Sequence, residues 1–493
     1  MERVILFGAG INGREALKVL GPEKVLCFCD NDESKVSTVI DGKTVISFEE
    51  MKKLYRKGYK ILVTPFNKYE IIAGLEAENI LNYEEYISFR DRYVKEREWV
   101  YGKEAMRNNA ELDRFVERAS KIDFLDGDKE FRLLAEEVLQ RYRGSRKLIA
   151  YNKYGESGFY GNLETLLKFS GIEEDEMDPA FFPVCCHQNE ITENICIKYP
   201  YNIATIVPGS GVKDLIHERR PLVPAFPIGP YSLYTKGIYS TQELLSLKKK
   251  YGRVATVYLG QHNNEGDKNA IAPKKLLDQV FDTYKKDYDT LFLSVYWVDV
   301  GNEFYQYAKN KGFHLVSAGF RFDCKFNQRL KTIFDLSDLI VMNTYSTPLT
   351  WALALNKPVE FTDHRIWRHE VEYYSDAIKR HIYNMEYFEQ QRFFDRIFNN
   401  STKEYLNHMD ELEPYLGLKQ LKTPEEIRAI FEISNMIWEE ADGDLVWYYE
   451  GVRKALKKLE ENNDLMRLKL LRDALGKENN SSEYIRIEKK CQA

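Results

Sequence analysis

The chain has no long apolar run and no strong excess of charge of one sign, and these absences exclude several classes of protein. No stretch reaches about 18 consecutive apolar residues, so the sequence predicts no membrane-spanning helix. With 71 Lys and Arg against 77 Asp and Glu, the formal net charge is -6, which gives no general attraction for nucleic-acid phosphates. The 44% hydrophobic and 30% charged content is typical of a folded globular protein.

Cysteine is also missing from the patterns that would give it a structural role. The seven cysteines contain no Cys-x-x-Cys pair, so we predict reduced, mostly buried thiols rather than disulfides or a zinc site. Residues 1–3 lead directly into an apolar strand pattern, without the apolar stretch and cleavage site of a secretory signal. We therefore expect a cytoplasmic protein, with peripheral association at the inner face of the membrane left open.

A glycine loop follows the first predicted strand. Residues 4–7 form a short apolar run typical of a parallel strand buried on both faces, and Gly8, Gly10 and Gly13 come directly after it. A second apolar run ends at Asp30, which follows Gly8 by 22 positions, near the interval at which dinucleotide folds place the acid that binds ribose. Such glycines allow a helix N-terminus to approach a phosphate, and the alternative is that they serve only a tight turn.

The rest of the first 90 residues argues against a complete dinucleotide site. Residues 39–45 have the pattern of a β-hairpin around Asp41-Gly42, and only two further strands, at 60–64 and near Tyr86, are predicted. Because a dinucleotide site uses two mononucleotide halves, this segment suits a mononucleotide or a sugar nucleotide better. NAD-dependent sugar oxidoreduction is a weaker alternative, since the segment has no suitably placed Tyr-x-x-x-Lys dyad.

Three segments of the first 90 residues resemble a domain that occurs in known biosynthetic enzymes. The segments 7–10, 30–32 and 41–43 are similar to the small Rossmann domain in front of bacterial sugar acyltransferases and some methyltransferases of surface-glycan pathways. The resemblance covers about residues 1–90 and implies an accessory domain of nucleotide-binding type.

Two further α/β patterns follow a charged, helical connector. In the first pattern, predicted strands at 147–151, 181–186, 203–207 and 222–228 accompany a glycine loop that ends at Gly161, and polar residues 187–190 and 208–211 follow two of those strands. In the second, the predicted strands are 254–259, 290–296, 313–317, 339–342 and 358–361, with helices at 273–284, 303–311, 327–336 and 347–355. This alternation predicts a doubly wound parallel sheet, which binds ligands at the carboxyl ends of its strands.

Two adjacent Rossmann-like units followed by helices resemble the layout of GT-B glycosyltransferases. The segments 317–323, 329–331, 337–343 and 352–359 are similar to the donor half of bacterial capsular and surface-polysaccharide glycosyltransferases, over about residues 147–362. The resemblance implies that Ser346 and Thr347 approach the donor diphosphate. Trp351 lies near the place where many GT-B enzymes have an acid for the ribose, so the resemblance does not identify the donor.

Glycosyl transfer needs a base at the acceptor hydroxyl and positive or dipolar groups at the leaving phosphate. We predict His187 as the base, with Glu190 as the alternative; otherwise His187 only hydrogen-bonds its own loop. His262 and Arg321 are candidates for contacting the phosphate, unless they only pack at the surface. Ser317 lies in the same predicted donor site, and Asp323 either orients Arg321 or forms an ordinary ion pair. We predict no metal, because His364 and His369 do not have the spacing of helical zinc ligands.

The predicted fold class is α/β, with an N-terminal Rossmann-like domain, two Rossmann-like units of GT-B type and a C-terminal helical region. The boundaries are a Rossmann-like accessory domain at 1–90, a helical connector at 91–145, an acceptor unit at 146–250, a donor-nucleotide unit at 251–364, a helical region at 365–476 and a polar tail at 477–493.

The leading hypothesis is a metal-independent glycosyltransferase that uses a nucleotide sugar to build a bacterial surface polysaccharide or glycan. Its partners would be the nucleotide sugar and a glycan or lipid-linked acceptor, with no required cofactor and a possible nucleotide in the N-terminal domain. One alternative is a polyol-phosphate transferase of the teichoic-acid type, which also uses nucleotide-diphosphate donors. Another is a non-catalytic scaffold that binds sugar nucleotides.

Overall fold

Three sheets organise the chain. The computed structural model describes residues 3–65, 69–86, 114–142, 160–173, 176–177, 182–185, 204–219, 223–259, 273–295, 303–320, 323–343, 346–362, 396–398, 403–440 and 448–475. The strands of the N-terminal sheet are β1 (Val4–Phe7), β2 (Val25–Cys29), β3 (Val39–Ile40), β4 (Lys43–Ile46), β5 (Lys60–Val63) and β6 (Tyr83–Glu85). The middle sheet has β7 (Val184–Cys185), β8 (Thr205–Val207) and β9 (Ala225–Pro227), and the C-terminal sheet has β10 (Val254–Tyr258), β11 (Thr290–Ser294), β12 (His314–Val316), β13 (Leu339–Met342) and β14 (Val359–Phe361).

Helices connect and cover these strands. They are α1 (Ile11–Leu20), α2 (Phe48–Tyr55), α3 (Tyr69–Ala77), α4 (Asp128–Tyr142), α5 (Asn162–Ser170), α6 (Ser210–Arg219), α7 (Thr241–Tyr251), α8 (Pro273–Tyr284), α9 (Glu303–Lys311), α10 (Phe326–Leu336), α11 (Thr347–Ala354), α12 (Met409–Leu416), α13 (Pro424–Glu440), α14 (Tyr448–Glu461) and α15 (Leu465–Ala474). Short 3₁₀ helices lie at Tyr231–Leu233, Lys403–His408 and Leu418–Gln420, and residues 114–120 are also helical.

The N-terminal and C-terminal sheets have the same order of parallel strands. The N-terminal order is β3-β4-β2-β1-β5-β6, and the C-terminal order is β12-β11-β10-β13-β14. When only the parallel strands are counted, so that β3 is left out, the first strand lies between the second and the fourth in both sheets, which is the doubly wound arrangement. The β3–β4 pair is antiparallel, which confirms the predicted hairpin around Asp41-Gly42. The predicted α/β fold class, with Rossmann-like units and C-terminal helices, is confirmed.

Local sequence signals explain where several elements begin. All five residues of β10 are buried, as expected for a strand covered by helices on both faces. Ser240 and Glu243 form a reciprocal capping box at the start of α7. Thr423 and Glu426 form a second capping box at α13, where each backbone N–H donates to the side chain of the other residue.

The hydrophobic cores differ from the predicted boundaries, because segments that are distant in sequence share them. Phe115, Phe124 and Phe131 of the predicted connector pack against β10, β11 and β12, so the described part of 91–145 belongs to the C-terminal sheet. The predicted C-terminal helical region is divided between two cores. The described residues of 397–398 and 403–416 pack on the C-terminal sheet, whereas α13, α14 and α15 pack with α5 and the middle sheet.

Two discontinuous units result. We call the described residues of 160–234 and 424–475 the middle unit, and those of 114–142, 239–362 and 396–416 the C-terminal unit. The chain passes between them three times, after α4, at 235–238 and at 417–423. The Tyr234 hydroxyl binds the middle unit to the passage 417–423, since it donates to the carbonyl oxygen of Ile228 and accepts from the backbone N–H of Lys422.

The prediction of reduced, mostly buried thiols is confirmed for the four cysteines that the structure describes. Cys27, Cys29, Cys185 and Cys324 are thiols, and burial raises the pKa of Cys27 to about 11. No helix among the described residues is long and apolar enough to cross a membrane.

Candidate functional site

Helices of the middle and C-terminal units contact each other at two places beside the candidate site. Asn162, the first residue of α5, accepts a hydrogen bond of 2.8 Å from the side chain of Asn327 in α10. The 3₁₀ helix Tyr231–Leu233, which follows β9, contacts α11, which follows β13. A segment after β9 of the middle sheet therefore lies against a helix that follows β13 of the C-terminal sheet, and we place the candidate site beside this contact.

On the side of the C-terminal unit, the site includes the N-terminus of α11. β10 and β13 are neighbours although they are the first and fourth strands, so the order of the sheet reverses here, where open α/β sheets bind ligands. Ser346 is the N-cap of α11, but its side chain makes no capping hydrogen bond, and both Ser346 and Thr347 are half-buried. Pro348 has no N–H, and the N–H of Leu349 donates to the carbonyl oxygen of Ser346 at 2.7 Å, so Thr347 is the residue among the first three of α11 whose N–H is left for a ligand in the described structure. Trp351 lies in the core against Phe334.

Ser317 and Asp323 form internal contacts near the same edge. The Ser317 hydroxyl donates to the carbonyl oxygen of Val295 at 3.0 Å and accepts from the N–H of Gly319 at 3.2 Å. Asp323 forms a buried ion pair of 2.8 Å with Arg329, and burial raises the pKa of its carboxyl although Arg329 opposes that shift. The guanidinium of Arg329 also donates to the carbonyl oxygens of Ala318 and Ala119. These contacts hold the loop and the connector, and donor binding by Ser317 or Asp323 stays a prediction.

On the side of the middle unit, part of the sheet edge is covered. A Cβ atom on Gly209 would lie 2.1 Å from the carbonyl oxygen of Pro414, and one on Gly417 would lie 1.9 Å from that of Pro208. The loop 208–211, which follows a strand where a ligand was expected, is therefore packed against residues 414–417 at the C-terminal end of α12.

The N-terminal domain has a second candidate site, at its glycine loop. Gly8 has φ +109°, and a Cβ atom on Gly13 would lie 1.9 Å from the carbonyl oxygen of Gly8, so the fold itself requires both glycines. Gly10 has an ordinary φ of -85° and no described atom within 4 Å of its Cβ position. It caps α1 without a side-chain hydrogen bond, so the space beside this helix N-terminus is open.

Asp30 binds the glycine loop directly. Its Oδ2 atom accepts from the N–H of Ala9 at 2.8 Å and from Lys35 at 3.2 Å, and its Oδ1 atom accepts from the N–H of Asp32 at 3.0 Å. A carboxylate has about four acceptor positions, so these contacts leave room for one more donor. The predicted contact of Asp30 with ribose is thus limited to a single hydroxyl.

Four predicted site residues, His187, Glu190, His262 and Arg321, lie outside the described residues. Among the described residues, no cluster of three His, Cys, Asp or Glu side chains could hold a metal ion.

The sequence reasoning missed Arg329 as the partner of Asp323. Arg329 lies three residues after Phe326 and one before Leu330, within the apolar stripe of α10, and is only 1% exposed. A charged residue in such a stripe must find a buried partner, and that signal was available in the sequence.

No family model and no curated protein matches the chain. Among solved structures, it is similar to a Listeria monocytogenes protein described as a UDP-N-acetylglucosamine 2-epimerase, with TM-score 0.29 and 11% identity over 90% of this chain and 97% of that one. It is also similar to Anabaena HepE in complex with UDP and glucose, with TM-score 0.23 and 12% identity over 73% of this chain and 80% of that one. HepE in complex with UDP gives TM-score 0.23 and 12% identity over 100% of this chain and 98% of that one. TM-scores this low do not establish a common fold, so these similarities carry no argument.

Proposed function

We propose that the chain is a glycosyltransferase that transfers a sugar from a nucleotide-sugar donor to a surface polysaccharide or glycan acceptor. The observation that carries this proposal is the uncapped N-terminus of α11 at the reversal point of the C-terminal sheet, facing the middle unit. The N–H of Thr347 and the partial positive charge of this helix terminus favour a phosphate group, and a negative charge placed there gains about 0.3–1 kcal/mol.

The chemistry divides between the two units. The bond between the anomeric carbon and the phosphate oxygen breaks, and the acceptor hydroxyl oxygen bonds to that carbon. The N-terminus of α11, with Ser346, Thr347, His262 and Arg321, stabilises the charge on the leaving phosphate. His187, or Glu190 in its place, takes the proton of the acceptor hydroxyl. In the sequence, His187 follows the end of β7 by two residues.

In this proposal, Ser317 and Asp323 act indirectly. Their bonds to Gly319 and Arg329 hold the loop that leads to Arg321. The N-terminal domain binds a nucleotide or sugar nucleotide at Gly10 as an accessory site, and Asp30 accepts one ribose hydroxyl.

Thermal unfolding of the full chain with a panel of nucleotides and sugar nucleotides tests the donor site. A true donor should raise the melting temperature in proportion to RT ln(1 + [L]/Kd), and Ser346→Ala should reduce that rise. Product analysis by mass spectrometry should then show a sugar added without phosphate, with His187→Ala and Arg321→Ala defective.

Other outcomes would overturn the proposal. A product that gains a polyol phosphate would identify a teichoic-acid-type transferase. If His187→Ala and Arg321→Ala leave glycan synthesis in cells intact while deletion of the chain abolishes it, the protein is a scaffold. If no nucleotide binds, the donor site itself is disproved.

A further inference from the structure

One segment at the boundary of the two units combines exposed apolar side chains with exposed lysines. It begins at the end of the 3₁₀ helix Tyr231–Leu233, continues through the passage 235–238 and follows α7. Leu233, Ile238 and Leu245 are 38%, 38% and 51% exposed, and they are three of the ten large apolar side chains that are exposed in the described part of the chain. A short segment therefore holds a large share of the apolar surface that the described residues leave in water.

The charge of this segment is positive, although that of the whole chain is negative. Residues 233–249 contain three lysines, Lys236, Lys248 and Lys249, against one acid, Glu243, whereas the chain has a formal net charge of -6. The three lysines are exposed, and no described residue forms an ion pair or a hydrogen bond with their side chains. The Glu243 carboxylate accepts instead from the backbone N–H and the hydroxyl of Ser240, at 2.8 and 2.7 Å.

Packing on the inner side of the segment fixes which side chains face the solvent. Leu244 and Leu247 pack against the core of the C-terminal unit. The N–H of Ile238 donates to a side chain of α10 at 3.0 Å, which holds the passage against that helix. Leu245 and Lys249 are four residues apart on α7 and lie on its outer face. An apolar and a basic side chain are thus neighbours on a surface that the fold holds in place.

We propose that residues 233–249, which we call the docking face, bind the surface of a membrane that contains anionic phospholipids. The lysines contact the negatively charged headgroups, and Leu233, Ile238 and Leu245 enter the boundary between headgroups and acyl chains. Exposed apolar side chains alone would also suit a protein partner, but the unpaired lysines among them favour a negatively charged surface. The proposal does not rest on the transferase activity, because binding to vesicles needs no substrate.

Flotation of the full chain with lipid vesicles tests the docking face. Vesicles of phosphatidylcholine and phosphatidylglycerol in equal parts should bind the chain, and vesicles of phosphatidylcholine alone should bind it far less. Because the chain as a whole is negatively charged, its overall charge opposes this binding, and the attraction must come from a local basic surface. Raising the ionic strength from about 0.1 M to about 1 M shortens the Debye length from about 10 Å to about 3 Å and should release most of the protein.

The apolar contribution has a matched pair of variants in Leu245→Gln and Leu133→Gln. Both leucines lie on helices, α7 and α4, and they are 51% and 57% exposed. Glutamine is a good helix former, so neither substitution should unfold the chain. We expect Leu245→Gln to weaken binding to the mixed vesicles about tenfold, and Leu133→Gln to leave it unchanged.

The basic contribution is tested by the triple variant Lys236→Gln, Lys248→Gln, Lys249→Gln. Each lysine at an anionic surface strengthens binding about fivefold, so the triple variant should bind about a hundredfold more weakly. A control of the same net charge replaces three lysines that are exposed elsewhere, Lys57→Gln, Lys129→Gln, Lys275→Gln. That control should bind nearly as the unmodified chain does, since its substitutions lie outside the docking face.

Several results would overturn the proposal. One is a chain that does not bind the mixed vesicles, and another is a chain that binds neutral and mixed vesicles equally. A third is that the variants of the docking face bind as their controls do. If sedimentation shows a dimer that Leu245→Gln converts to a monomer, the face joins two copies of the chain and not a membrane. Should the triple variant fail to fold, Leu245→Gln and the dependence on salt still decide.

Discussion

The N-terminal and C-terminal sheets share one strand order, yet their candidate ligand sites follow different strands. In the N-terminal sheet, the open helix N-terminus follows the first strand, at Gly10. The fourth parallel strand, β5, leads instead into Thr64 and Pro65, which pack against Gly8. In the C-terminal sheet, the open terminus follows the fourth strand, at Ser346 of α11.

The comparison shows that the sheet topology determines at which edge of the sheet an open helix N-terminus lies. Individual side chains then determine which strand along that edge it follows. In the N-terminal domain the Thr64 hydroxyl donates to the carbonyl oxygens of Phe7 and Gly8, both at 2.9 Å, and closes one side of the reversal point. Near the other site, Arg329 closes a neighbouring loop. We call a position closed when its side chain, or a Cβ atom placed there, packs against other groups of the protein, and open when it does not. We therefore expect substitutions at closed positions to reduce the stability of the fold, and substitutions at open positions to reduce ligand binding alone.

The largest effect is expected at the closed position Arg329. Arg329→Met leaves the carboxylate of Asp323 buried without its cation, which should cost about 3–5 kcal/mol of local stability. Hydrogen exchange of residues 316–336 and 114–120 would measure it. Because the pKa of Asp323 is raised in the fold, the deficit should be full at pH well above that pKa and should shrink as the pH falls through it.

The double variant Asp323→Leu, Arg329→Met is the control for that experiment. Removing both charges should recover much of the lost stability, since a buried pair is often replaceable by apolar residues. A single variant no less stable than the double one would show that the pair contributes nothing to closing the loop.

At the closed part of the N-terminal loop, Gly13→Ala should reduce the stability of the domain by about 3 kcal/mol. The added Cβ atom would lie 1.9 Å from the carbonyl oxygen of Gly8, so β1 or α1 must move. Faster hydrogen exchange of residues 3–63 would record the change. Gly74→Ala, inside α3 and with no described atom near its Cβ position, should instead leave the exchange unchanged or slower.

The open position Gly10 should behave in the opposite way. Gly10→Ala should change the stability of the domain by less than about 1 kcal/mol, because its φ is ordinary and its Cβ position is open. Nucleotide binding to the glycine loop should weaken about tenfold, since the methyl group blocks the approach of a phosphate to the N–H groups of α1. Calorimetric titration measures both affinities, and equal affinities would remove Gly10 from the site.

The smallest effect is expected at Ser346. Its side chain makes no capping bond, so Ser346→Ala should leave the stability within about 0.5 kcal/mol and weaken donor binding about threefold. Ser240→Ala is the matched control, because the Ser240 hydroxyl does cap α7 by accepting from the N–H of Glu243. That variant should lose about 1 kcal/mol and keep its donor affinity. The reverse pattern would contradict the distinction between open and closed positions.

The sequence predicted most of the local structure. The predicted helices at 273–284 and 303–311 and the predicted strand at 339–342 have those bounds in the structure, and the hairpin at Asp41-Gly42 is present. These features depend on periodicity, capping and turn residues, which are local.

The assignment of helices to sheets was beyond such reasoning. The apolar spacing of Phe115 and Phe131 shows that their helices have a buried face, but it does not say which sheet covers that face. For the same reason the boundaries at 91–145 and 365–476 differ from the cores. The site was only partly predictable, because Asp323 was paired by nearness in sequence with Arg321, whereas its partner Arg329 lies in the next helix.

The three passages of the chain between its two units also set an order of events during synthesis. The connector that carries Phe124 leaves the ribosome 130 residues before β10, against which it packs. At translation rates of roughly 5–20 residues per second, the apolar face of this connector stays exposed for on the order of ten seconds before the C-terminal sheet is synthesised. The middle sheet is synthesised still longer before α13, with which it shares a core. Neither unit can complete its core on the nascent chain until later segments arrive, so production in cells should depend on chaperones that shield these faces.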